Sequence, residues 1–559
     1  MPDKNLFIAL LFAGLCFLTY GNSLHNDFLM DDYPMLIKNR QIGDPSFLQL
    51  NIDTHQQQKY FRPLSHTLNL ITYSLFGENP AGYHIFNLGL FYLACLLLYE
   101  LLAMSLKRKE TALLLNFLPL NRTPNLPRAS MNPMGDSELE WKSLITSMFF
   151  CAHPINGVLV NYKNAPSYAL LVVAAVLALI HFVRASRGHD APLNRCLGLV
   201  WMLAALLCHE LVIAFPLYLA SVLWFLENKK LKDIAKELAL PVAAMAVYLF
   251  FRTTCFSLNT DVISQALRGD FHFFNFLATY AKLIGWYAAK LVSPEGIVLI
   301  WHTPVVQNSP AVWGLNLSLA MGLAGVVWLG IKYPRPNPAL FAISWILTGF
   351  LPVVPACLSR PEFGIIIEPH WLIFSSIGYF LLLAVIFSRL KDRVSKKIWY
   401  PAIAALLLFY VSSSRHYNYL WGDQIRYCRY WLTVSPDHYW PNFWLGYAYL
   451  EDKNYKEARR YFKKIVETGK GDYETLGNLG LSEYRLGNSA AALDYFKRSL
   501  ALNPHSADTH YYMGNIYLKG QMLKEAEDAF TRAIKLDPSL VDSRRKLAEI
   551  SEIQDRIKK

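Results

Sequence analysis

The sequence predicts an all-α protein in two parts: a polytopic bundle of about eleven membrane-length helices, then a soluble helical solenoid. Three observations predict it. Apolar runs of membrane length recur through the first 414 residues, and a 34-residue period runs through about 439–540. Of the 559 residues, 53% are hydrophobic and only 17% charged, whereas a soluble globular chain carries nearer a quarter charged residues. The formal net charge of +12 collects between apolar runs rather than along one face. That is the pattern of cytoplasmic loops and not of a nucleic-acid-binding surface.

Crossing about 30 Å of hydrocarbon takes roughly 20 mostly apolar residues. Such runs fall near 5–22, 83–106, 142–160, 166–185, 196–208, 211–227, 237–252, 312–331, 338–357, 370–388 and 398–414. The first is followed by Asn22, Ser23, Leu24 and His25 rather than a small-residue cleavage site, so it reads as a retained anchor. A further stretch, 276–293, is interrupted by Lys282, Gly285 and Lys290 and closes at Pro294, as a re-entrant or interfacial helix would be.

Orientation follows from the basic residues. Lys107, Arg108, Lys109, Arg122 and Arg128 share one loop; Arg184, Arg187 and Arg195 a second; Lys229, Lys230, Lys232 and Lys236 a third. Lys332 with Arg335, and Arg389 with Lys391, Arg393, Lys396 and Lys397, mark two more. All five fall on the side of the N-terminus, the cytoplasmic side, provided 276–293 does not cross. The expected domains are therefore a membrane part over 1–414 with outward loops 23–82, 253–311 and 358–369, then a connector over 415–438 and a repeat region over 439–540. The charged segment 541–559 is expected to cap the repeats.

Among the eight cysteines, Cys16, Cys95, Cys151, Cys196 and Cys208 lie in or beside apolar runs without CxxC spacing. They read as small hydrophobes. There is no HExxH and no His/Cys cluster in the sequence.

The repeat region keeps several positions in register. Gly446, Gly480 and Gly514 are 34 apart, as are Ala458, Ala492 and Ala526, and Phe462, Phe496 and Phe530. Small residues let two antiparallel helices approach closely, and the phenylalanines fill the gaps. This is the tetratricopeptide pattern, a protein-binding or spacer device, and here it would bind a protein partner outside the cytoplasm.

The first outward loop, about 60 residues long, is long for a connector, and long loops tend to be functional. It carries HNDFLMDDYPMLIKN (25–39) with the pair Asp31–Asp32, then YFRPLSHTLNL (60–70), then GENPAGYHIFNLGLFY (77–92). Farther on stand HPINGVLVNYKNAPSYAL (153–170), the pair His209–Glu210, and EPHWLIFSSIG (368–378). Read without a relative, Asp31 and Asp32 are a solvated pair capping a short helix at Tyr33–Pro34. Arg62 is a snorkelling interfacial residue, and Glu368–Pro369–His370 is a polar helix entry. His209–Glu210 is harder to dismiss, because ionisable pairs between apolar runs are costly. His153–Pro154 reads as a helix-end device, and the tyrosines and tryptophans near run ends as interfacial belts.

The order of these motifs, followed by tetratricopeptide repeats, resembles the GT-C class of membrane glycosyltransferases. The closest likeness is to the transmembrane-and-tetratricopeptide O-mannosyltransferase (TMTC) family and its bacterial relatives. The resemblance covers nearly the whole chain. It implies transfer of a sugar, mannose among the candidates, from a polyprenyl- or dolichyl-phosphate to an acceptor hydroxyl of a protein or glycan on the outer face, with inversion. The residues suit that chemistry. Asp31 or Asp32 would act as base, with Asp31 preferred because relatives use the first member of the pair. Arg62, Lys163, His209, Arg360 and His370 would meet the departing lipid phosphate, with Glu210 and Glu368 completing the substrate-binding set.

The chain departs from the pattern at Val158 and Pro166, where relatives carry an acid and an arginine. It departs again at His370, where an arginine is expected. These departures support the alternative of a non-catalytic polytopic scaffold whose repeats bind partners. A transporter would show internal symmetry among its spans, and none is found. No cofactor is expected, and transfer is expected to be metal-independent, although Asp31 with Glu210 or Glu368 offers a set of acids for a divalent ion. With only three repeats and few outward Asn-x-Ser/Thr acceptors, the expected setting is a bacterial inner membrane with the repeats in the periplasm, the alternative being the endoplasmic reticulum with lumenal repeats.

Overall fold

The computed structural model describes residues 4–37, 62–107, 133–163, 166–255, 273–304, 310–333, 335–353, 365–391 and 393–558. They form two compact units, Met1–Gly422 and Asp423–Lys559.

In the first unit α1 is Lys4–Tyr20, α2 Pro63–Phe76, α3 Pro80–Lys107, α4 Pro133–Ala152, α5 Pro166–Ser186 and α6 Ala191–Cys208. The apolar segment α7 is Glu210–Leu226. Then follow α8 Leu231–Cys255, α9 Phe273–Val292, α10 Pro310–Lys332, α11 Pro338–Phe350, α12 Ile373–Leu390 and α13 Lys396–Leu420. Proline opens α2, α3, α4, α5, α10 and α11, where its fixed φ suits a first turn and its missing N–H has no partner to lose.

Among the described residues seven helices are long and apolar enough to cross a membrane, so the chain is a multi-pass membrane protein. The other predicted runs are helical in different ways. The run 142–160 breaks by 61° between Glu140–Ala152 and Pro154–Asn161. His153 takes an extended conformation before Pro154, and its Nδ1 accepts the Ile155 N–H, as the residue before a proline is steered out of the helical region. The runs 211–227 and 338–357 shorten to Glu210–Leu226 and Pro338–Phe350. The run 398–414 lies within the longer α13.

The helices α1, α3–α8 and α10–α13 alternate in direction, so their ends form two sets. At one end Arg187 grips Glu227 through two hydrogen bonds, of 3.0 and 2.7 Å, and the Met104 carbonyl at 2.9 Å, joining the tails of α3, α5 and α7. At the other end α9 runs along the bundle. Its Phe274 carbonyl accepts from Asn316, its Tyr280 hydroxyl donates to the Phe350 carbonyl, its Tyr287 hydroxyl to that of Leu372, and its Leu291 carbonyl meets the His153 ring. The stretch 276–293, expected to be re-entrant or interfacial, is thus one continuous helix. A two-stranded antiparallel pair, β1 Trp301–Thr303 with β2 Ile365–Ile367, sits beside it in the register Trp301↔Ile367.

The second unit begins with α14, Gln424–Val434, which occupies much of the stretch expected as a connector. Three helix pairs follow: α15 Tyr439–Glu451 with α16 Tyr455–Glu467, α17 Tyr473–Arg485 with α18 Ser489–Leu502, and α19 Ala507–Lys519 with α20 Leu523–Leu536; α21 Val541–Lys558 closes the stack. The period has a steric cause. A Cβ added at Gly446, Gly480 or Gly514 would stand 2.7, 2.7 or 2.8 Å from the ring of Phe462, Phe496 or Phe530. Each phenylalanine seals its own repeat, and Phe496 also stacks on Tyr512 of the next at 6.1 Å. Gly480→Val therefore costs about 1–3 kcal/mol of overpacking strain, seen as a lower melting temperature of the repeat unit by circular dichroism. An unchanged melt would contradict this packing.

Candidate active site

The chain leaves α1 through a short turn at Gly21–Ser23 and is pinned against the end of α13 by one amide. The Asn418 Oδ1 accepts from Asn161 at 2.8 Å, and its Nδ2 donates to the Thr19 carbonyl and Asn22 Oδ1, both at 2.9 Å. Its backbone carbonyl accepts from the Asn26 amide at 2.7 Å. Phe28 and Leu36 then bury against Tyr83, whose hydroxyl donates to the Gly77 carbonyl at 2.8 Å. The next residues of that motif brace a second segment. The His84 ring nitrogen lies 3.2 Å from the Val160 carbonyl, and the Asn87 amide donates to the Tyr162 carbonyl at 3.1 Å.

Thus braced, Tyr162 donates its hydroxyl to Asp31 Oδ2 at 2.9 Å. Burial, together with the charges of Asp31, Asp32 and Glu368, raises the Tyr162 phenol well above its ordinary pKa, so it remains a proton donor to the carboxylate. The two acids are not equivalent. Asp31 is half-buried, whereas Asp32 is fully buried and its Oδ2 accepts the Leu29 N–H at 3.0 Å. Lys163 is buried beside them, donating to the Asp27 carbonyl. Burial lowers its pKa against the opposing pull of Asp32 and Asp27. Lys163 therefore stands with the acids rather than with the arginines below.

The second group centres on Glu210, at the start of α7. Its Oε2 accepts from Arg62 Nε at 2.9 Å, and its Oε1 from Arg252, on α8, at 2.6 Å. Arg252 also donates to the Tyr248 hydroxyl at 3.1 Å. Burial alone would raise the Glu210 carboxyl; the charges of Arg62 and Arg252 outweigh it and hold the group well below the usual carboxylate range. A depressed folded pKa stabilises the fold above the unfolded value, near 4.3, and that contribution is lost as pH falls toward the folded value. Glu210→Gln therefore flattens the fall in melting temperature on acidification below about pH 5. Parallel melting curves for the two chains would contradict this.

His209 precedes it in an extended conformation, with Nδ1 accepting the Leu211 N–H at 3.2 Å. Burial, then the Arg62 charge, drives its pKa well below the ordinary value. The ring is neutral and its proton sits on Nε2. That buried atom has no hydrogen-bond partner among the described residues, and neither does either ring nitrogen of buried His370. Glu368 Oε2 lies 3.1 Å from His370 Nε2, but without hydrogen-bond geometry.

Tyr168 joins the parts, its ring centroid 5.1 Å from that of His209 and 4.2 Å from that of His370. Arg62, Glu210 and Glu368 interact electrostatically with Tyr168, and Glu368 also does so with Tyr162 beside Asp31 and Asp32. Asp31, Asp32, Lys163, Arg62, His209, Glu210, Glu368 and His370 are thus gathered at one end of the bundle. Arg360 lies outside the described residues. His153, capping the turn at Pro154 with its other nitrogen 3.1 Å from the Leu291 carbonyl, is a helix-end device.

Sequence reasoning missed Arg252, Tyr162 and Tyr168. Arg252 ends an apolar run and belongs to none of the quoted motifs. The tyrosines looked like belt residues, although both lie within HPINGVLVNYKNAPSYAL (153–170). Among the described residues no carboxylate–histidine group of this site has metal-binding geometry.

Comparison with known proteins adds the lineage. Family models for the tetratricopeptide repeat match residues 442–468 and 478–540, so the C-terminal region holds these repeats. Over 96% of its length the chain is 20% identical to human "Protein O-mannosyl-transferase TMTC3", covering 61% of that protein. Over 97% it is 21% identical to Drosophila melanogaster "Protein O-mannosyl-transferase Tmtc3", covering 65% of it. The chain is a homologue of the TMTC proteins. A third TMTC relative, Caenorhabditis elegans "Protein O-mannosyl-transferase F38B6.6", is 20% identical over 82% of the chain and is covered over 62% of its length. The chain spans about three-fifths of the length of the curated TMTC relatives it matches. A solved structure, "Crystal structure of APC/C hetero-tetramer Cut9-Hcn1", aligns at 13% identity over 74% of this chain and 89% of its own, with a TM-score of 0.23, too low to bear on the fold.

Proposed function

We propose that the chain is an inverting membrane glycosyltransferase that moves a sugar, mannose by the relatives' names, from a polyprenyl-phosphate to an acceptor hydroxyl. The observation that carries this reading is a half-buried carboxylate sharing one end of the bundle with two half-buried arginines and with imidazole nitrogens that make no hydrogen bond among the described residues. Asp31 takes the acceptor's proton as its oxygen bonds to the anomeric carbon. The bond from that carbon to the phosphate oxygen breaks, and its electron pair leaves with the lipid phosphate. Base and leaving group on opposite faces of the sugar give inversion. Arg62 and Arg252, held apart and oriented by Glu210, meet the growing phosphate charge, and the Nε2–H of His209 supplies a neutral donor. Tyr162 fixes the Asp31 carboxylate, and Asp32 with Lys163 fixes its loop.

The positive-inside pattern puts this end outside the cytoplasm, with eleven crossings, α9 lying along the outer surface, and the repeats on the same side to engage the acceptor or a partner protein. A bacterial inner membrane with periplasmic repeats is the proposed setting. The test is the purified full chain with polyprenyl-phosphate-mannose and hydroxyl-bearing peptides, reading the product by NMR. The expected product has the anomeric configuration opposite to the donor's. Retained configuration would overturn the single displacement, and no transfer to any peptide or glycan acceptor would favour the scaffold reading.

A further inference from the structure

Away from this site, three helices bring their cysteines to one point. Cys16 lies on α1, Cys95 on α3 and Cys151 on α4. Each is buried, and all three sulfurs lie within 4.8 Å of one another, with Cys16 and Cys151 at 3.4 Å. Packing alone asks only for small apolar side chains here, and alanine would serve as well. Three sulfurs turned to a common centre make a different object, a ready-made set of soft donors.

We propose that Cys16, Cys95 and Cys151 form a three-coordinate binding site for a soft, monovalent metal ion, copper(I). Three arguments converge on that ion. Metal–thiolate bonds of about 2.3 Å in a trigonal plane put sulfurs about 4 Å apart, inside the observed spread. No histidine, aspartate or glutamate ligand joins the group among the described residues. Phe91 and Phe150, whose rings stack 5.8 Å apart on the helices that carry Cys95 and Cys151, are buried and apolar. The nearby Tyr20 hydroxyl already donates to the Cys151 carbonyl, at 3.1 Å. Structural zinc takes four ligands almost without exception, and hard cations take oxygen; soft sulfur ligands select copper(I). The ligands are thiolates, so each sulfur gives up its proton to solvent as its bond to the ion forms. The ion would tie α1 to α3 and α4 just below the loop that carries Asp31.

The experiment uses the full chain, purified in detergent under anaerobic reducing conditions and titrated with copper(I) against a chromophoric chelator. The expected result is one ion per chain, with three sulfurs at about 2.3 Å by X-ray absorption and a raised melting temperature. Cys16→Ser, Cys95→Ser and Cys151→Ser each lower the affinity at least a hundredfold, while Cys208→Ser leaves it unchanged. Where a serine variant melts early, Cys95→Ala with a melt checked in the absence of metal stands in for it. Binding that survives the triple substitution, an absorption spectrum with nitrogen or oxygen neighbours, or equal affinity for zinc would each overturn the proposal.

Discussion

Asp31→Asn lowers turnover by about 10²–10⁴-fold, the usual worth of a general base, without moving the melting temperature or the affinity for the lipid donor. The asymmetry within the acidic pair makes this specific. Asp31 is half-buried, and an asparagine in its place still accepts the Tyr162 hydrogen bond. Local geometry survives and only the proton acceptor is lost. Asp32→Asn behaves differently, because Asp32 is fully buried and accepts the Leu29 N–H beside the buried Lys163. Taking its charge away leaves that ammonium poorly compensated, so the chain melts earlier and activity falls together with stability. Steady-state rates and melting curves on the two variants separate the roles. Equal rates for Asp31→Asn and the unaltered chain would remove the base from the mechanism.

The second large effect is expected at Arg252, a residue the sequence did not single out. Arg252→Ala lowers turnover by about 10²–10³-fold, in the range of one lost electrostatic donor to a developing anion, and it weakens donor binding as well. Arg252→Lys recovers little. The guanidinium spans two partners, Glu210 and the Tyr248 hydroxyl, and an ammonium cannot reproduce that fork. Arg62→Ala acts in the same direction. In the double variant the effects are less than additive, because both arginines hold one carboxylate. Full additivity would mean that the two cations serve separate sites.

Much of this architecture was legible in the residues for identifiable reasons. The Gly480–Phe496 contact repeats in every helix pair, so its 34-residue period stands out against any background. Apolar length found the helices of the bundle. It did not find the break at His153–Pro154, where proline and backbone capping interrupt a run whose composition is continuous. The site was legible where polar residues interrupt apolar sequence, as at His209–Glu210 and Glu368–His370. It was illegible where the partner lay far along the chain. Arg252 reaches Glu210 from the end of another helix, and Tyr162 reaches Asp31 from 131 residues along the chain. Nothing in linear spacing signals the meeting of Cys16, Cys95 and Cys151 either, since each comes from a different helix.

The claim on which the rest depends is that a lipid phosphate sits against Arg62, Arg252 and His209 while Asp31 faces the sugar. Phosphorus NMR of polyprenyl-phosphate-mannose bound to the detergent-solubilised full chain tests it most directly. The prediction is a shifted phosphate resonance that persists in Asp31→Asn and returns to the free position in Arg252→Ala and Arg62→Ala. A resonance that is the same with the unaltered chain and with both arginine variants would place the donor elsewhere and contradict the account.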